Sequence, residues 1–225
     1  MAESLAAKKV RTQKIIEVLT RLYPAPKCAL NHRNAYELLI ATILSAQCTD
    51  ARVNMVTPAL FAKYPSPKEL ALSHPKDVEK MIQSAGFYRA KTKSIRSAAA
   101  DIVAKHGGEV PGTMEELTAL RGVGRKTANV VLGNAFGQNV GVVVDTHVSR
   151  LSGRLGLTKH SDPVKIEQDL MKLVPREEWT DFSHRLIFHG RQVCTARRPN
   201  CPACPLLGLC PTGSKLIRQG LARGT

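Results

Sequence analysis

The chain has 225 residues, enough for one or two domains and a sizeable core. Lysine and arginine number 33 against 18 aspartates and glutamates, a formal charge of +15 at pH 7. A surface this basic attracts polyanions, nucleic acid first among them, because neutralised phosphates supply affinity without regard to sequence. No stretch approaches the ~18 consecutive apolar residues of a membrane helix, and no apolar segment follows the basic residues of Met1 to Arg11, as a secretory signal would require. The expectation is a cytoplasmic protein without a membrane partner.

In chain order the periodicity is helical. Tyr36, Leu39, Ile40, Ile43 and Leu44 follow the spacing of a buried helical face. Ser66-Pro67-Lys68-Glu69 combines an N-cap, a proline at the first helical position and a capping-box acid. Thr113 and Glu116 repeat the box. Val140 to Val144 has the composition of a strand, but no second convincing strand exists to pair with it. It reads as an extended connection. Asp162-Pro163 starts another helix, with Val164, Ile166, Leu170 and Leu173 as its apolar positions. Trp179, Phe182, Leu186 and Val193 line the next, up to Cys194. The fold class expected is all-α, with the clearest break from Gly137 to Gly141.

The most specific local string is Leu120-Arg121-Gly122-Val123-Gly124-Arg125-Lys126-Thr127-Ala128. Two glycines flank one apolar residue, between two helices. Glycine permits positive φ and close backbone approach. The amides of such a turn, opening onto a helix N-terminus, form an anion site, and on DNA the anion is a phosphate. An ordinary helix–turn–helix connection is the plainer reading of the two glycines alone.

Six cysteines are present, and Cys194, Cys201, Cys204 and Cys210 fall within seventeen residues, spaced C-x6-C-x2-C-x5-C. Four thiolates on one short loop ask for a metal. Zinc and a [4Fe–4S] cluster both satisfy that chemistry, and two disulfides are the remaining alternative. Cys28 and Cys48 lie far away in sequence and read as buried thiols.

These motifs, with Leu44-Ser45-Ala46-Gln47-Cys48-Thr49-Asp50 and Val144-Asp145-Thr146-His147, occur in an order and spacing that resembles the helix-hairpin-helix DNA glycosylases, the endonuclease III branch above all. The resemblance covers nearly the whole chain. It implies two all-α domains: residues 28–138 as a six-helix domain holding the hairpin, and residues 1–27 plus 139–225 as a discontinuous domain carrying a [4Fe–4S] loop. It implies removal of oxidised pyrimidines from double-stranded DNA and cleavage at abasic sites, by a monomer working on the bacterial nucleoid.

Lys126 matches the family's Schiff-base lysine and Asp145 its catalytic aspartate. To attack a sugar the amine must be neutral, so its pKa has to fall from about 10.4. Desolvation, Arg125 and the positive helix end would lower it. Asp145 is left to move a proton and stabilise positive charge on the sugar, and is also a plausible N-cap. By the same resemblance Gln47, Gly122, Val123, Gly124, Arg125, Thr127, Arg191, Arg197 and Arg198 contact DNA, with Gln47 opposite the orphan base and the Gly86-Phe87-Tyr88 turn as a wedge; for Phe87, core packing is the competing reading. The four clustered cysteines hold the iron–sulfur group as a structural element. One departure stands out: the family usually has proline where this chain has Arg121. A lysine at 126 argues against a monofunctional glycosylase, and Lys126 with Asp145 together argue against a DNA-binding module without catalysis.

Overall fold

A computed structural model describes residues 3–222. Among these residues there are α-helices, short 3-10 turns and no strand. The helices are α1 (Leu5–Leu22), α2 (Ala35–Leu44), α3 (Asp50–Lys63), α4 (Pro67–Leu72), α5 (Pro75–Ile82), α6 (Tyr88–Lys105), α7 (Met114–Ala119), α8 (Arg125–Ala135), α9 (Thr146–Arg154), α10 (Pro163–Leu173), α11 (Trp179–Gln192) and α12 (Gly213–Arg218). Two compact units divide the chain. One runs from Cys28 to Gln138; the other is built from both ends, up to Lys27 and from Asn139 onward.

In the middle unit α2 is central and packs on α3, α6 and α8. Tyr36, Leu39, Ile40, Ile43 and Leu44 are buried as the spacing predicts, but so are Leu38 and Ala41, so the helix is enclosed on every side. Even Glu37 is buried. Asn34 caps the helix by accepting from the Glu37 amide at 2.9 Å, and the Arg33 guanidinium meets the Glu37 carboxylate, Nε to Oε1 at 2.8 Å. A buried carboxylate without such a partner would cost several kcal/mol. The unit has seven α-helices where six were expected, and the reason is local. Ser73 leaves α4 at ψ 151°, and His74 stands at ψ 130° before Pro75. The residue ahead of a proline is driven out of the α region, so one run becomes two helices.

Helix starts follow the sequence with one change of detail. Thr113 accepts from the Glu116 amide at 3.2 Å and donates to its carboxylate at 2.6 Å. The Ser66 hydroxyl instead donates to the Glu69 carboxylate and caps no amide.

The unit made of the chain's ends has its own aliphatic core, centred on Ile15, Leu19, Val148, Leu151, Ile166, Leu170, Phe182 and Leu186. Each such side chain contributes about 1.5–3 kcal/mol by leaving water. Val164 does not join them. It is exposed, because it occupies the second position of α10, before the helical face turns inward. Residues 140–144 form no strand: Val142, Val143 and Val144 are buried in an extended segment, and the Val143 amide donates to the Ser183 hydroxyl at 3.1 Å instead of to a ladder partner.

Candidate functional site

In the middle unit, Leu120 (φ −71°, ψ 140°) caps the end of α7, and Gly122 follows at φ 81°. The Val123 amide donates back to the Leu120 carbonyl at 3.1 Å. This is a type II turn with Gly122 at the position that needs positive φ. Gly122 is also needed for space: a Cβ there would lie 2.8 Å from the Ser94 Cβ on α6. Val123 is buried and its amide closes the turn, so it supports the hairpin from within. Gly124 then caps α8 in extended conformation, and the intrahelical ladder begins with the Ala128 amide on the Gly124 carbonyl at 3.0 Å. The amides before Ala128 face off the helix end, where the positive end of the macrodipole lies.

Arg125 and Lys126 are exposed on that first turn, with Thr127 half-buried. The desolvation asked of the protein around Lys126 is therefore not provided by neighbouring side chains. Arg121 is exposed beside them. Two further segments of this unit share a rare backbone. Gln47 (φ 52°) and Phe87 (φ 46°) are the non-glycine residues at positive φ among those described, and both are exposed, Phe87 to 68%. Core packing of Phe87 is thereby excluded.

In the other unit Asp145 is the N-cap of α9. Its Oδ1 accepts from the Val148 amide at 2.8 Å, as expected of an aspartate at a helix start. One turn on, Arg150 donates to the Gly190 carbonyl at 2.9 Å, the Cys194 carbonyl at 3.0 Å and the His147 Nδ1 at 3.1 Å. Burial lowers the His147 pKa; Asp145 opposes the shift, and Arg150 and Arg191 reinforce it.

Cys194, Cys201, Cys204 and Cys210 line one cavity with Leu151, Leu206 and His189. Among the described residues no three His, Cys, Asp or Glu side chains form a group suited to a single metal ion. Burial pushes the Cys204 thiol up to about 11 and Cys201 upward too, with the other cysteines adding to both. Four thiols so placed ionise together only beside a strong positive charge, which is what an iron–sulfur core supplies. The donor set fits that group.

Cationic side chains also hold the loop. Arg154 reaches the Cys194 Sγ at 3.2 Å and the carbonyls of Thr195 and Ala196, each at 2.8 Å. Arg11, from α1, donates to the carbonyls of Leu155 at 2.7 Å and Leu209 at 3.0 Å. His189 lies 3.4 Å by Nε2 from the Cys204 Sγ, and Tyr23 lies 3.3 Å from its Nδ1. Arg11, Arg150, Arg154 and Tyr23 were not singled out from sequence, where nothing marks an inward-turned cation. Arg191, Arg197 and Arg198 are exposed on and before the loop.

An all-α chain with a glycine hairpin opening onto a lysine, and a four-cysteine loop, has counterparts among proteins of known function. The family model described as HhH-GPD superfamily base excision DNA repair protein matches residues 40–176, and the chain belongs to that family. Endonuclease III of Synechocystis sp. is 54% identical over 212 residues, covering 94% of this chain and 97% of that protein. Endonuclease III of Bacillus subtilis is 47% identical over 203 residues, 90% of this chain and 92% of the relative. A solved structure of a non-covalent endonuclease III–DNA complex superposes with a TM-score of 0.89 at 46% identity, over 93% of this chain and 98% of that one. A thermostable thymine-DNA glycosylase, at 22% identity and a TM-score of 0.84, shares the fold. Within the family the chain is an endonuclease III-type enzyme of base excision repair, a DNA glycosylase that is also an abasic-site lyase.

Proposed function

We propose that the enzyme works as a monomer on double-stranded DNA in the cytoplasm, at the nucleoid, and that it takes oxidised pyrimidines and abasic sites as substrates. The observation that carries this reading is the placement of Lys126: an exposed amine on the first turn of α8, directly beyond a hairpin whose helix-end amides suit a phosphate. The neutral Lys126 amine attacks the sugar C1′ and the bond to the base breaks. The amine then loses a proton and the ring C1′–O4′ bond opens, O4′ taking up a proton, to give an iminium that acidifies C2′, whose proton leaves as the C3′–O bond breaks. DNA that covers the hairpin excludes water from around the exposed Lys126. Asp145 transfers the proton and stabilises positive charge on the sugar.

Gln47 fills the gap left by the extruded base, and Phe87 wedges the stack from its own turn. Gly122, Gly124, Arg125 and Thr127 frame the phosphate, with Val123 beneath them. Cys194, Cys201, Cys204 and Cys210 hold a [4Fe–4S] cluster, which folds the loop and leaves the chemistry to the side chains. Arg191, Arg197 and Arg198 contact the phosphate backbone. The test is a paired duplex assay, one strand carrying either a single thymine glycol or an intact thymine. Release of the damaged base followed by a nick supports the reading; equal handling of both duplexes, or no release, contradicts it.

A further inference from the structure

Lys91, on the first turn of α6, is only 5% exposed, an unusual place for a lysine. Its Nζ donates to the Ala85 carbonyl at 2.8 Å, and its backbone amide donates to the Phe87 carbonyl at 3.0 Å. It thus grips both sides of Gly86 (φ 71°) and Phe87 (φ 46°), two successive left-handed residues. Non-glycine residues stay in that region only where their surroundings over-determine them. Phe87 is 68% exposed, so packing does little to hold it. We infer that Lys91 is a positioning residue for base extrusion: its buried ammonium locks the Ala85–Phe87 turn so that the Phe87 ring is held out toward the DNA stack.

Two more observations fit. Burial lowers the Lys91 pKa, so the lysine is kept there at a cost, and the Cys48 thiol is near enough to oppose that shift. Cys48 directly follows Gln47, the other non-glycine residue at positive φ among those described. The lysine that bonds the Ala85–Phe87 turn thus also lies within electrostatic reach of the residue that follows Gln47.

The inference rests on the wedge role of Phe87, and a double-mutant cycle separates the two. The probe is a duplex with one thymine glycol beside 2-aminopurine, whose fluorescence rises as the base leaves the stack. Lys91→Met keeps the length of the side chain and removes the donor. It should slow extrusion by about 10- to 100-fold in the wild-type background, the scale of a misplacement of about an ångström. In a Phe87→Ala background, which is itself slowed, the same change should add less than about twofold. If Phe87→Ala leaves extrusion unchanged, the wedge reading and this inference both fail. If Phe87→Ala slows extrusion but Lys91→Met costs the same in both backgrounds, Lys91 acts on stability alone and the inference is overturned. Should Lys91→Met fail to fold, Lys91→Gln, which keeps a neutral donor, goes through the same cycle with the same criterion.

Discussion

At the scale of single residues, Asp145 serves two readings with one carboxylate. Its Oδ1 caps α9 through the Val148 amide, and that work needs an acceptor but no charge. Asparagine does it nearly as well. Proton transfer needs the carboxylate itself. Asp145→Asn should therefore fold normally, with a stability change within about 0.5 kcal/mol by thermal denaturation, and excise thymine glycol at least ~100-fold more slowly. Near-normal excision would make Asp145 a cap and nothing more. Lys126, Asp145 and the four clustered cysteines were assigned from short strings that resemble one family's, and the structure adds an exposed Lys126, an Asp145 that caps α9 and four cysteines around one cavity. Arg11 could not be assigned this way. Its guanidinium holds carbonyls at Leu155 and Leu209, and no spacing rule joins residue 11 to residue 209. Lys91 was hidden for a similar reason: on a helix a lysine reads as solvated until the burial of its neighbours is known.

At the scale of elements, the hairpin accounts for the one departure from the family's pattern. Arg121 is the second residue of a type II turn, the position where proline is favoured, and Leu120 at ψ 140° already has the conformation that precedes a proline. Arg121→Pro should stabilise the protein by about 0.4–1 kcal/mol by restricting the unfolded chain, read as a small rise in Tm. It also removes an exposed cation at the rim of the proposed phosphate site, so the slope of log affinity against log salt should fall by about one. If neither quantity changes, Arg121 is a neutral substitution. Capping signals marked helix starts well, as Thr113 and Asp162 show by accepting from the amides of Glu116 and Lys165. Two element-scale features were less legible. Apolar periodicity underestimated α2, whose burial on all sides follows from its neighbours, and it overestimated Val164, which lies on the outer side of its first turn.

At the scale of the whole molecule, the charge of +15 is not spent uniformly. Arg11, Arg150 and Arg154 turn inward to carbonyls and hold the cysteine loop, while Arg191, Arg197 and Arg198 are exposed. Composition reports the total and is silent on this division. If a cluster holds residues 194–210 together, stripping the iron should free that loop first. Trypsin should then cut after Arg197 faster than in the iron-loaded protein, the Arg198–Pro199 bond being resistant, while fragments of the unit from Cys28 to Gln138 persist. Equal cleavage of both forms would deny the loop its metal.

The central claim is that Lys126 is the nucleophile. Borohydride reduces an iminium to a stable amine, so the enzyme incubated with abasic duplex and borohydride should yield a covalent protein–DNA adduct, and peptide mapping should place it on Lys126. Lys126→Ala should give no adduct while still binding the abasic duplex. An undiminished adduct in that variant, or one mapped to another residue, would contradict the account.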